Sequence, residues 1–159
     1  MSSRQYPERP IVGVGAVIVD RPLRRVVLVR RSTLPLLGQW SLPGGAVELG
    51  ETLRAATERE ALEETGLSVT AGEVLDVFDR ILPGADGRFQ FHYVLVDFLC
   101  RVRSGELQAG GDASEALWAG EDELDQFKLE QPALGVITKA FARAKNEDSP
   151  LRRGGAEKN

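Results

Sequence analysis

Residues 45–67, GAVELGETLRAATEREALEETGL, decide how this chain folds and where its chemistry lies. The second half predicts a helix over 53–65, with Thr52 as its N-cap and Gly66 at the end, where a left-handed residue is needed. The helix carries four glutamates, which are Glu58, Glu60, Glu63 and Glu64. The last two lie in the final turn, where the helix dipole disfavours negative charge, so helix stability does not explain them.

The helical spacing brings three of these carboxylates onto one face. At about 100° per residue, Glu60 and Glu64 lie roughly 40° apart, and Glu63 lies about 60° to 80° from them. Glu58 points elsewhere. If this face were simply solvated, Arg59 would pair with Glu63, and the ion pair would stabilise the helix by about 0.3 to 0.5 kcal/mol. Two carboxylates about 5 Å apart repel each other by about 3 kcal/mol at an effective dielectric near 20, which is a larger effect. A cation is therefore expected among them, and oxygen ligands without His or Cys favour Mg²⁺ or Mn²⁺.

Composition excludes several classes of function. The chain has 159 residues, of which 42% are hydrophobic, and this is enough for one compact domain with a core. Its formal charge of -4 argues against a nucleic-acid or anionic-membrane surface. A single cysteine and a single histidine argue against a disulfide framework and a zinc site.

The ends of the chain carry no targeting signal that the sequence pattern reveals. The first ten residues lack an apolar signal core, and no apolar run reaches the roughly 20 residues of a membrane span. We expect a soluble cytoplasmic protein that acts on a small molecule. Its organisation is predicted as an N-terminal extension over 1–10, one domain over 11–145 and a disordered tail over 146–159.

Apolar β-branched runs alternate with polar connections along the domain. The pattern predicts strands, which lie at 11–19, 25–30, 73–80, 88–102 and 115–119. It also predicts helices and one Gly/Pro-punctuated loop, with the helices at 53–65, 121–127 and 132–145 and the loop at 34–51. We expect the strands over 73–80 and 88–102 to form the centre of the sheet. This order of elements favours an α/β sandwich.

The spacing within residues 45–67 resembles the Nudix box, G-x5-E-x7-R-E-U-x-E-E-x-G-U, where U is aliphatic. All seven fixed positions match, and they are Gly45, Glu51, Arg59, Glu60, Glu63, Glu64 and Gly66. A chance match is on the order of one in 10⁵ at the usual frequencies of these residues. Ala61 is small for its aliphatic slot, and GQWSLPGG over 38–45 is similar to the segment that leads into the box. The resemblance implies a Nudix-type α/β/α sandwich, with a mixed sheet between helices.

The resemblance also implies a reaction. Nudix proteins hydrolyse a nucleoside diphosphate linked to another group, with water activated by divalent metals and no covalent nucleophile. By resemblance the metal, Mg²⁺ or Mn²⁺, is held by the three box glutamates Glu60, Glu63 and Glu64. The Gly45 carbonyl adds a ligand, and Arg59 and Glu51 orient the carboxylates.

Residues outside the box have weaker assignments. Glu115 resembles the acidic residue that many family members place outside the box, as a further metal ligand or as the general base; an exposed acid at a strand start is the alternative. The general base is left open between Glu64 and Glu115. Arg30 and Arg31 end a strand before the loop, where one of them could reach a phosphate and where strand-edge solvation explains them equally well.

The substrate is predicted by resemblance alone. RFQFHYVLVDFLCRV over 88–102 is similar to small bacterial members assigned as ADP-ribose pyrophosphatases, which implies cleavage of ADP-ribose to AMP and ribose 5-phosphate. A MutT-type reaction, releasing pyrophosphate from an oxidised purine triphosphate, is the alternative. A non-catalytic nucleotide-binding module is a third, although it would be expected to lose box carboxylates. Some family members pair as dimers, so a homodimer is also considered.

Overall fold

The computed structural model describes residues 4–147, and it describes side chains up to residue 143. The described chain forms one seven-stranded sheet with an α-helix on each side. The strands are β1 (Ile11–Asp20), β2 (Arg25–Arg31), β3 (Trp40–Ser41), β4 (Gly44–Ala46), β5 (Leu67–Pro83), β6 (Phe89–Gly105) and β7 (Ala113–Gly120). The helices are α1 (Leu53–Thr65), a 3₁₀ helix (Glu121–Phe127) and α2 (Gln131–Glu147). The predicted tail over 146–159 lies outside the described residues, apart from the end of α2.

β1 organises the sheet. β6 runs parallel to it, with Ile11 opposite Tyr93, and β2 and β4 pair with it in antiparallel fashion. The sheet is therefore mixed, as predicted. β6 lies inside the sheet, but β5 forms an edge, so the prediction that 73–80 is central was wrong. The reason is that β1 pairs with one side of β6. The hairpin partner of β6, which is β5, therefore pairs with the other side and lies at the edge.

The alternation of side chains along β1 divides the core between the two helices. Val14, Ala16 and Ile18 pack in one buried cluster with residues of α1. Val17 and Val19 point the other way and pack in a second cluster with residues of α2. This arrangement confirms the α/β/α sandwich. Within the part of the chain that is described, no helix is long and apolar enough to cross a membrane.

The connection between β2 and α1 sets the position of the site. The predicted loop over 34–51 contains two short strands, β3 and β4, that the pattern did not reveal because two or three residues give no alternation. β4 pairs with β1, with Gly45 opposite Val14. α1 then begins as predicted, since the Thr52 side chain accepts a hydrogen bond from the Ala55 N–H at 3.1 Å. It ends at Gly66, whose φ is 73°.

Candidate active site

Glu64 is the most deeply buried of the box carboxylates. Its side chain is 2% exposed and lies on the last turn of α1. Arg31 donates to both of its oxygens, at 3.0 and 3.2 Å, and the Gly44 N–H donates to Oε1 at 3.1 Å. Burial nevertheless raises the pKa of Glu64 to about 7, because desolvation outweighs the Arg31 charge. A carboxyl with this pKa can accept a proton near neutral pH.

Glu60 lies against the backbone of β4. A Cβ on Gly45 would come within 2.5 Å of the Glu60 Oε1 atom, so only glycine leaves room for this carboxylate. Arg59 donates to the same oxygen at 2.9 Å. Burial raises the pKa of Glu60, partly offset by the hydrogen bond from Arg59. The glycine of the box thus brings a buried carboxylate and the β4 backbone together.

Arg59 connects three of the glutamates. It makes two hydrogen bonds to Glu51, at 2.6 and 2.9 Å, and further bonds to Glu60 at 2.9 Å and Glu63 at 3.3 Å. It also donates to the Ala46 carbonyl at 3.1 Å. The hydrogen bond from Arg59 lowers the pKa of Glu51 to about 2. The structure thus brings Arg59 and Glu51 together, and their positioning role stays a prediction.

The chemistry of the donors fits a hard divalent cation. Glu60 and Glu64 are buried, and burial raises the pKa of both carboxyl groups although Arg59 contacts Glu60 and Arg31 contacts Glu64. A further cation beside them would favour their ionised forms. Among the described residues, no group of three or more His, Cys, Asp or Glu is gathered closely enough to hold an ion. The box glutamates therefore have suitable oxygens, and the ligand set stays a prediction.

Glu115 is not brought to this cluster. It lies opposite Arg30 on β2 and pairs with it at 3.0 Å, with both side chains about half exposed. The neighbouring pair, Leu28 and Leu117, packs with the α2 side of the core, and strand alternation places Arg30 and Glu115 on the same side. Glu64 comes from α1 on the opposite side. Both predicted residues, Arg30 and Glu115, therefore form an exposed ion pair on the side of the sheet away from Glu64.

A cavity of about 740 Å³ lies beside the box cluster. Its walls come from β1, the segment 31–46, one face of β5 and β6, and the start of α2. Arg31, Gly44 and Gly45 line it, so it reaches the backbone that contacts the box carboxylates. Arg30 and Glu115 are not among the lining residues. Of the two arginines proposed for phosphate contact, the structure places Arg31 at the cavity.

Several polar residues of the cavity were missed from the sequence, and they include Asp97, Arg80 and Glu130. Asp97 is 5% exposed and lines the cavity from β6; its signal was a charge inside the apolar run VLVDFLC. Arg80 and Glu130 form an ion pair that joins β5 to the residue before α2. These two residues are 50 positions apart, and neither interrupts an apolar pattern, so no sequence signal connected them.

Comparisons with known proteins agree with the fold and the box. A family model described as the NUDIX domain matches residues 9–141. A curated relative, the ADP-ribose pyrophosphatase of Methanocaldococcus jannaschii, is 35% identical over 137 residues, which cover 86% of this chain and 76% of that protein.

Two solved structures extend the comparison. A MutT NUDIX hydrolase from Burkholderia pseudomallei superposes with a TM-score of 0.67 at 31% identity, covering 82% of this chain and 98% of that one. The NUDIX domain of Shewanella oneidensis NrtR, complexed with ADP ribose, has a TM-score of 0.67 at 25% identity. It covers 86% of this chain and 89% of that one.

Proposed function

Because this chain belongs to the Nudix hydrolase family, we propose that it cleaves ADP-ribose at the pyrophosphate to give AMP and ribose 5-phosphate. The observation that carries the proposal is the meeting of the box carboxylates with the cavity at Gly44 and Gly45. A nucleotide in the cavity would have its phosphates beside the cluster. The name of the Methanocaldococcus relative and the ADP ribose in the NrtR complex support this substrate.

Nudix hydrolases use a divalent metal, and we propose Mg²⁺ or Mn²⁺ held by Glu60, Glu63 and Glu64 with the Gly45 carbonyl. When bound, such an ion neutralises charge on the pyrophosphate oxygens and lowers the pKa of the attacking water. Water then adds to a phosphorus atom while the bridging P–O bond breaks. The proton of the water needs a base within the site, and Glu64 is the residue we assign.

One feature supports Glu64 over Glu115 as that base. Glu64 contacts Arg31 and Gly44, which line the cavity, whereas Glu115 is paired with Arg30 outside it. Arg31, at the cavity wall, is placed to exchange Glu64 for a phosphate oxygen.

The test of the substrate is a comparison of products and rates. The protein is incubated with Mg²⁺ and each of ADP-ribose, a dinucleoside polyphosphate, NADH and 8-oxo-dGTP, and kcat/KM is measured for each. We expect ADP-ribose to have the highest value and to yield AMP. A tenfold advantage for the oxidised triphosphate, about 1.4 kcal/mol in transition-state binding, would replace the proposal with the MutT-type reaction.

The MutT-type reaction is the second candidate because the Burkholderia neighbour carries that name. A triphosphate brings more negative charge than a diphosphate ester and gains more from nearby cations. Three arginines, Arg4, Arg31 and Arg80, line the cavity, and two of them are paired, Arg31 with Glu64 and Arg80 with Glu130. The complete box argues against a non-catalytic nucleotide-binding module.

We also propose a homodimer. Exposed apolar side chains lie along the β5–β6 hairpin, and they include Val74, Val77, Ile81, Phe89 and Val102. β5 is an edge strand, so a second copy could cover it. Light scattering should give twice the chain mass, and Ile81→Glu should halve it, whereas Leu23→Glu on the β1–β2 connection should not. The cytoplasmic location stays a prediction from the sequence.

A further inference from the structure

We propose that Asp97 selects the nucleobase, by accepting a hydrogen bond from the exocyclic amino group of a purine bound in the cavity. The inference rests on the proposed nucleotide hydrolysis and concerns a different part of the substrate. The box acts on the phosphates, whereas Asp97 would decide which base is accepted. It is a specificity residue that the box motif does not include.

Asp97 lies on the wall of the cavity that adjoins β1. It belongs to β6, opposite Gly15 on β1, and is 5% exposed. Its carboxylate oxygen lies where a Cβ on Gly15 would be, so any larger residue at position 15 would displace it. Gly15 in turn pairs with Gly44 of β4. A ligand that contacts Asp97 is therefore close to the backbone that contacts Glu64.

Asp97 has no hydrogen-bond or ion-pair partner within the described part of the chain. Among the residues that the structure describes, none donates a hydrogen bond or forms an ion pair with it. The nearest charges are Asp76, which is repulsive, and Arg80, which is paired with Glu130. Buried carboxylates are normally hydrogen-bonded, and burial raises the pKa of Asp97 to about 6. A donor supplied by the ligand would satisfy this carboxyl group.

The surroundings of Asp97 favour a flat, largely apolar ligand. Phe91, Tyr93 and Leu95 line the cavity from the same face of β6, and Phe78 lines it from β5. Aromatic and aliphatic side chains suit a purine ring. A carboxylate repels phosphate, so this part of the cavity is unsuited to the pyrophosphate. The exocyclic amino group of a purine is a donor on the edge of such a ring.

The experiment compares two ligands that differ in that group alone. AMP carries the amino group, and purine riboside 5′-monophosphate lacks it. Binding is measured by calorimetry without metal, so the result does not depend on catalysis. We expect the wild type to bind AMP at least tenfold more tightly. Asp97→Leu, which removes the acceptor and keeps the branched shape of the side chain, should reduce the ratio below threefold, and Asp97→Asn, which keeps an acceptor oxygen, should retain most of it.

Asp76→Asn is the matched control. Asp76 lies opposite Asp97 in the β5–β6 register but does not line the cavity. The same chemical change there removes a charge near Asp97 without touching the ligand. We expect the AMP preference of this variant to equal that of the wild type. If Asp97→Leu does not fold, Asp97→Ala, which also removes the acceptor, should reduce the ratio in the same way.

Several outcomes would overturn the proposal. They are equal binding of the two ligands by the wild type, an unchanged ratio in Asp97→Leu, and no measurable binding of AMP at millimolar concentration. Equal weakening of ribose 5-phosphate and AMP by Asp97→Leu would assign the residue to the sugar, and this also overturns it. A protein that prefers AMP through Asp97 but does not hydrolyse ADP-ribose would refute the proposed reaction and leave this inference intact.

Discussion

The box cluster and the cavity hold buried carboxylates in opposite ways. In the box cluster, Glu64 receives two hydrogen bonds from Arg31, and Glu60 receives one from Arg59. In the cavity, Asp97 is equally buried and none of the described residues pairs with it. The pKa values of all three are raised by burial. The difference fits the two proposals, in which the cluster exchanges its arginines for a metal ion and Asp97 accepts a hydrogen bond from the ligand.

The largest effect is expected from Glu64→Gln. Turnover of ADP-ribose with Mg²⁺ should fall at least about 10²-fold, because the variant loses a metal ligand and a base. Without metal the variant should unfold no more easily than the wild type, since burial destabilises the ionised Glu64. Glu58→Gln is the control, because Glu58 lies on the same helix but accepts a bond from the Ala71 N–H. Unchanged turnover in Glu64→Gln would remove Glu64 from the site.

Gly45→Ala tests the close approach within the box cluster. The added methyl group would meet the Glu60 carboxylate, so the carboxylate or β4 must move. We expect activity to fall about tenfold or more and the free energy of unfolding to fall by about 1 to 3 kcal/mol. Gly135→Ala in α2 makes the same change where no atom lies within 4 Å, and it should not destabilise. An active and stable Gly45→Ala variant would contradict the contact.

The pH dependence of the free energy of unfolding tests whether Asp97 is a buried carboxyl group without a charged partner. Its pKa is about 6 in the folded protein and 3.8 ordinarily, so the folded state holds the proton more tightly. Stability should therefore fall as pH rises from about 4 to 6, and Asp97→Asn should remove this loss. Urea unfolding should find the variant more stable at pH 8 by on the order of 2 kcal/mol, and less so at pH 4. An equal difference at both pH values would contradict the burial of an ionisable Asp97.

The smallest effect is expected from Glu115→Gln. The Arg30–Glu115 pair is exposed, so its loss should change the free energy of unfolding by less than about 1 kcal/mol. We expect kcat and KM to stay within about threefold of the wild type, because the pair lies outside the cavity. A fall in kcat larger than the rise in KM would instead show that Glu115 acts in the transition state.

The same two regions explain what could be predicted from the sequence. Helical periodicity predicted that Glu60 and Glu64 share one face of α1. The contact of Arg59 with Glu51 was expected only from the resemblance to the Nudix box. The contact of Arg31 with Glu64 spans 33 positions and depends on how β2 meets α1. The spacing of residues along the sequence does not show how β2 and α1 meet in the fold.

The cavity could be identified only from the tertiary structure. Its walls come from seven separate segments, and Asp97 faces it only because β6 pairs with β1 in one register. The strand itself was predicted from its apolar run. The position of β5 at the edge was not predicted. The hydrophobic pattern of a sequence shows which segments are strands, but it does not show which strands are neighbours in the sheet.

The parallel pairing of β1 with β6 also has a consequence for how the protein acquires its structure. Ile11 is synthesised well before its partner Tyr93. Contacts between residues so distant in sequence slow folding, because a long loop must close before they form. On the ribosome, β1 therefore emerges with its apolar side chains unpaired, while α1 can form locally. The catalytic motif is complete early in synthesis, and the wall that would recognise the base is completed later.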